Sequence, residues 1–140
     1  MFHKKSLDLK DPPSGNGMSK VPLISIVDDD ALARDGIHDL VESLGYRVIT
    51  FSSAEHFLES RVIAETTCVI TDLQMPGLNG LELQEALQSH GYQTPIIFIT
   101  AYANETRRSC ALDAGAVGFL SKPFKEEALI KCLTAAIKSR

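Results

Sequence analysis

No apolar run in this sequence approaches the roughly 18 residues that a membrane-spanning helix needs. The amino terminus opens on Lys4 and Lys5 but has no apolar h-region after them, which excludes a secretory signal of the usual kind. Cysteine is scarce and odd in number. Cys68, Cys110 and Cys132 form no CxxC pair and have no histidine at metal-ligand spacing, so neither a disulfide framework nor a zinc site is indicated. They are expected as small core residues of a cytoplasmic protein. Basic charge is in short supply too. Fourteen Lys and Arg against 18 Asp and Glu leave a formal charge of −4, so the electrostatic footprint of a nucleic-acid binder is missing.

What is present is the composition of one globular domain, with 44% hydrophobic and 23% charged residues over 140 positions. Residues 1–20 stand apart. They hold Pro12, Pro13, Gly15, Asn16 and Gly17 without any apolar period, and are expected to form a disordered leader, with Met18 as a second possible start. The domain itself is placed at residues 21–138. There, residues 22–27 (PLISIV), 46–51 (YRVITF), 67–71 (TCVIT), 95–100 (PIIFIT) and 117–120 read as strands. Helices are expected over 30–44, from Ser52/Ser53 to about Ser60, and over 80–88, 104–114 and 124–138. The first carries a stripe of Ala33, Ile37, Leu40, Val41 and Leu44 closed by Gly45 as C-cap, and the last is buried through Leu129, Cys132, Leu133 and Ala136. Strands one, three and four are nearly unbroken Val/Ile runs, as in strands covered on both faces. Five strands alternating with five helices specify a doubly wound parallel α/β sheet.

In such sheets ligands bind beyond the carboxyl ends of the strands. Strand one runs into Asp28, Asp29 and Asp30, strand three into Asp72, strand four ends on Thr100, and strand five leads through Ser121 to Lys122. Clustered carboxylates need a counter-charge. Oxygen-only donors, with His38, His56 and His90 falling in helices or at their ends, suit a hard cation such as Mg²⁺. Asp30 is expected to act only as a helix N-cap. Residues 72–80 (DLQMPGLNG) form a tight loop rich in turn formers, and Lys122, ahead of a proline whose bond can be cis, is a point charge suited to phosphate.

VDDD at 27–30, TDLQMPGLNG at 71–80, Thr100 followed by Ala101, and KPF at 122–124 together resemble the receiver domain of bacterial two-component response regulators, in its FixJ/NarL-like group. The resemblance spans about residues 21–138. It implies a flavodoxin-like fold with strand order 2-1-3-4-5 and a phosphorylation-dependent switch, not a turnover enzyme. It implies Asp72 as the phosphoacceptor, attacking a phosphohistidine of a sensor histidine kinase or phosphotransfer protein. Mg²⁺ would be held by Asp29 directly, by Asp28 through water, by Asp72 and by the backbone carbonyl of Gln74. Lys122 and Thr100 would contact the phosphoryl oxygens. Thr100 and Phe119 would be the coupled movers beneath a face made of the fourth helix, fifth strand and fifth helix, on which a phosphorylation-dependent homodimer is expected. Gln74 and Tyr102 occupy positions that vary with phosphate lifetime. Lys122→Ala is expected to leave the metal-free fold nearly unchanged or more stable.

Other readings fit less well. A Mg²⁺-dependent aspartyl-nucleophile phosphatase carries DxDx[TV] after strand one, where this chain reads DDDALA, and a flavodoxin-like redox module needs a hydroxyl-rich phosphate loop there. The sequence reaches Arg140 directly after the last helix, so no helix-turn-helix domain is expected within it, and neither membrane association nor direct nucleic-acid binding is expected of this chain.

Overall fold

Five strands and five helices alternate over residues 21–138, the part of the chain that the computed structural model describes. The strands are β1 (Leu23–Val27), β2 (Arg47–Phe51), β3 (Cys68–Thr71), β4 (Ile96–Thr100) and β5 (Gly118–Ser121). The helices are α1 (Ala31–Ser43), α2 (Ala54–Glu59), α3 (Gly80–Ser89), α4 (Glu105–Asp113) and α5 (Glu126–Lys138). All five strands pair in parallel in the order β2-β1-β3-β4-β5, the doubly wound, flavodoxin-like sheet that the sequence predicts. The leader expected over residues 1–20 lies outside the described residues.

β1, β3 and β4 are buried from end to end, as their unbroken apolar runs predict. Because side chains alternate across a strand, one sheet feeds two cores. Ile24 and Ile26 of β1 and Ile97 and Ile99 of β4 pack with Ile37 and Val41 of α1 and with Leu129, Leu133 and Ala136 of α5. Val27, Val69, Ile96 and Phe98 face the other way, toward Phe57 of α2, Leu83 and Leu87 of α3 and Ala111 of α4. β2 lies at the sheet edge and is only half-buried.

Side-chain caps set where the helices begin. Asp30 accepts from the Leu32 N–H at 3.0 Å to open α1, and Ser53 accepts from the His56 N–H at 3.0 Å to open α2. Asn79 and Glu82 form a reciprocal capping box on α3. Three expectations are corrected. The C-cap of α1 is Leu44, itself exposed, with Gly45 one residue beyond, so the buried stripe narrows to Ile37 and Val41. α5 starts at Glu126 instead of 124, because the first carbonyl to accept its N–H groups is that of Lys125, from Ala128 and Leu129. Of the cysteines only Cys68 is buried. Cys132 is half-buried, and Cys110 is exposed because it lies on α4, a polar helix whose buried residue is Ala111. Among the described residues no helix is long and apolar enough to cross a membrane.

Candidate functional site

β1 and β3 are parallel neighbours with Val27 opposite Thr71, so Asp28 and Asp72 leave the sheet side by side. The ladder carries one residue further, with the Asp72 N–H donating to the Val27 carbonyl at 3.0 Å and the Asp28 N–H to that of Phe51 at 3.1 Å. Asp28, Asp29 and Asp72 each offer a carboxylate oxygen, and the three lie within 4.8 Å of one another. Asp28 is 1% exposed and Asp72 7%, whereas Asp29 is open to solvent. Lys122 arrives from β5. Its backbone N–H donates to the Thr100 carbonyl at 2.9 Å, and its Nζ donates to Asp28 Oδ2 at 3.1 Å and Asp72 Oδ2 at 3.0 Å. The Lys122–Pro123 bond is cis.

Burial and pairing pull on these groups in opposite directions. Burial pushes the Asp28 carboxyl above its ordinary value of 3.8. The Asp30 N–H at 2.9 Å and Lys122 pull it back only in part. Burial also pushes the Lys122 ammonium down, but its bonds to Asp72 and Asp28 outweigh that, and its pKa ends above 10.5. In this ion pair the bonds win on the lysine, whose charge is favoured, while on the acid burial outweighs them. The reason is depth: the Asp28 side chain is 1% exposed and that of Lys122 is 20%. Lys122 is the counter-charge of two buried acids, which favours a destabilising loss over the tolerance expected from the sequence.

Both oxygens of Asp28 are engaged, Oδ1 by the Asp30 N–H and Oδ2 by Lys122. Asp72 Oδ1 accepts from the N–H groups of Leu73 and, at 3.2 Å, Gln74. A cleft of about 650 Å³ opens above them, lined by Asp29, Asp30, Asp72, Gln74, Met75, Pro76, Ala101, Tyr102 and Lys122. Thr100 lies beneath this cleft and not in its lining. It is wholly buried, and its hydroxyl accepts from the Tyr102 N–H at 3.1 Å. Phe119 is half-buried, its ring 6.1 Å from that of Phe98 between centroids. Asp30 caps α1, as expected.

Sequence reasoning missed two residues that hold the frame of this edge. Arg34 of α1 donates from Nη1 to the Asp28 carbonyl at 2.7 Å. Glu55 of α2 accepts from the Leu78 N–H at 2.9 Å. Each bond joins a helix side chain to the backbone of another segment, and neither a motif nor a periodicity marks such a pair. His38, Asp39 and Glu42 also gather ligand-type atoms on α1, partly exposed, where the sequence had pointed to no metal donors.

Residues 24–134 match the response regulator receiver domain family. The chain is 40% identical over 119 residues to the response regulator protein TodT of Pseudomonas putida, covering 85% of this chain and 52% of TodT. It is 35% identical over 115 residues to the transcriptional regulatory protein FixJ of Bradyrhizobium diazoefficiens, covering 82% of this chain and 56% of FixJ. It thus spans about half the length of the curated relatives it matches. The solved structure of the response regulator StyR is similar with a TM-score of 0.79 at 39% identity, over 86% of this chain and 61% of StyR. The crystal structure of FixJ-N is similar with a TM-score of 0.77 at 29% identity, over 86% of this chain and 97% of that one. With a match running from β1 into α5, and relatives this similar over four-fifths of its length, the chain belongs to the response regulator receiver domains.

Proposed function

We propose that this domain accepts a phosphoryl group on Asp72 from a phosphohistidine of a sensor histidine kinase or phosphotransfer protein. The observation that carries the reading is the bridge of Lys122 Nζ to Asp28 and Asp72 under an open cleft that Asp29 also lines. Three carboxylates against one ammonium leave the edge short of positive charge, and all its donors are hard oxygens. That set fits Mg²⁺. Asp29 and Asp72, with the Gln74 carbonyl, would hold the ion, and Asp28, the more deeply buried of the two strand-end acids, would reach it through water. When bound, Mg²⁺ supplies Lewis-acid neutralisation of the charge on the phosphoryl oxygens.

The protein's own groups do the positioning. The Leu73 and Gln74 N–H groups fix Asp72 Oδ1, and Lys122 holds Oδ2. A carboxylate oxygen attacks phosphorus as the P–N bond to the donor imidazole breaks, and Lys122 follows the charge onto the phosphoryl group. The buried Thr100 hydroxyl, which accepts from the Tyr102 N–H, then donates its own hydrogen to a phosphoryl oxygen, and Phe119 repacks beneath the face of α4, β5 and α5. That face carries mixed charge, with Arg108 and Asp113 on α4 and Glu127 and Lys131 on α5 all exposed, and would serve a two-fold contact with a second copy. Relatives named as transcriptional regulators support a transcription-linked output in a longer chain. Turnover as a phosphatase has no support.

Incubation with acetyl phosphate and Mg²⁺ is expected to add one hydroxylamine-labile phosphoryl group, read by intact mass. Modification of Asp72→Asn at the parent rate, or indifference to EDTA, would overturn the assignment. Sedimentation with and without a beryllofluoride mimic tests the dimer, and an unchanged monomer would remove it.

A further inference from the structure

Met75 and Leu78 of the β3–α3 loop pack against the core, and Glu55 adds a hydrogen bond to the loop backbone from another element. Glu55 lies in the first turn of α2, and its Oε2 accepts from the Leu78 N–H at 2.9 Å across 23 residues of sequence. The same carboxylate lies against Gly77, whose φ of +77° is the left-handed conformation that glycine adopts without strain. A Cβ on Gly77 would fall on the Glu55 carboxylate, which would have to move aside. The loop is also held at its two ends, which one backbone bond ties together. Asp72 accepts from Leu73 and Gln74 at the start. At the finish the Gly80 N–H donates to the Leu73 carbonyl at 2.9 Å, and Asn79 caps α3. Between these anchors lie Gln74, Met75 and Pro76, all lining the cleft.

We infer that Glu55 is a positioning residue for the cation site: by holding Gly77 and Leu78 it sets where the Gln74 carbonyl presents itself to a divalent ion. The inference rests on the proposed Mg²⁺ reading of the acidic edge. A backbone carbonyl has no side chain of its own to orient it, so its placement depends on whatever holds the loop. α2 supplies the acceptor for the Leu78 N–H, and α3 supplies one for Asn79 through Glu82. Glu55 touches neither the phosphoryl acceptor nor the ion and acts through the backbone alone.

The test is Mg²⁺ affinity of the unphosphorylated domain by titration calorimetry, with Tm in EDTA measured alongside. Glu55→Ala is expected to raise the Mg²⁺ Kd about tenfold, the lower end of what loss of an outer-shell partner does to a metal site. Glu55→Gln keeps an acceptor oxygen at the same reach and is expected to restore most of the affinity. Gly77→Ala should weaken binding in the parent and weaken it less in a Glu55→Ala background, where the collision is gone and only the backbone strain remains. A purely structural Glu55 would lower Tm in EDTA and leave Kd unchanged, which would overturn the inference, as would a Glu55→Gln as weak as Glu55→Ala. Asp29→Asn separates the two levels. If it leaves Mg²⁺ binding at parental strength, the cation reading itself fails, whatever Glu55 does.

Discussion

The interior of the sheet and its carboxyl edge are built on opposite terms within one residue of each other. Along β4, Ile96, Ile97, Phe98 and Ile99 are at most 3% exposed and divide between two apolar cores. One step beyond the strand ends, Asp28 and Asp72 are buried as well, with the half-buried Lys122 reaching in to both. Burying apolar surface stabilises the fold without further conditions. Burying two carboxylates under one ammonium stabilises it only while the charges remain matched, and replacing such groups by neutral ones is often stabilising. The edge is therefore poised: its energy follows the charge state of its groups, and on the proposed function it would also follow divalent ions and phosphorylation, whereas that of the interior does not. A switch needs this division, because a signal must shift one part of the molecule without unfolding the rest.

The largest effect that tests the division belongs to the interior. Ile97→Ala is expected to cost about 4 kcal/mol of unfolding free energy, through lost burial plus the cavity left between β4 and α5. Denaturant melts should give the same loss with Mg²⁺ and with EDTA. Dependence on the ion would mean that core and edge are not separable. Next comes Lys122→Ala, expected to cost about 3 kcal/mol in EDTA, at the low end for orphaning buried charge. Here Mg²⁺ should recover much of the loss, because it returns positive charge to Asp28, Asp29 and Asp72. A loss as large in Mg²⁺ as in EDTA would show that Lys122 acts by packing its stem and not by its charge.

Asp28→Asn should move stability the other way. Burial raises the Asp28 pKa, so its favourable contribution is complete only below pH 3.8 and is lost as the pH rises through the elevated value. At neutral pH the ionised group opposes folding, and a neutral amide that still meets Lys122 is expected to gain about 1 kcal/mol. That gain should shrink as the pH falls toward 4. Lys122 has the mirrored arrangement at the alkaline end, its contribution present below 10.5 and lost above it. A destabilised Asp28→Asn at pH 7 would show that the pairing, not the desolvation, dominates the acid.

The same division explains what could be read from the chain. The interior was legible because unbroken runs such as PIIFIT and LISIV signal strands covered on both faces. Asp28, Asp72 and Lys122 were legible because strand ends mark where a parallel sheet presents its ligands. The depth of Thr100 was not, since a hydroxyl at a strand end reads the same whether it lines the cleft or lies under it, occupied by the Tyr102 N–H. Glu55 and Arg34 were not, because a bond from a helix side chain to a remote backbone group leaves no trace in spacing. Cys110 was misjudged for a related reason. Composition says that cysteine is a core residue, but α4 presents little apolar surface for a core to receive.

α4 sharpens the comparison most finely, because it belongs fully to neither side. Ala111 is its buried residue, and α3 holds it with two polar bonds: Gln84 Nε2 donates to the Ala111 carbonyl at 3.4 Å and Gln88 Nε2 to the Ala114 carbonyl at 2.7 Å. Gln84 is buried and its bond is long. Gln88 is exposed and its bond is short. By contrast α5 places Leu129, Leu133 and Ala136 in the core. Gln88→Ala should therefore cost at most about 1 kcal/mol globally, the net worth of one ordinary hydrogen bond. Its local effect should be larger, with amide exchange across α4 accelerating while that of β4 and α5 stays at the parental rate. This outcome would place the low-stability element of the molecule in α4, next to the edge that responds to charge. Uniform acceleration over α4, β4 and α5 would instead mean that α4 opens only with the whole domain, and that its thin packing does not make it an independent moving part.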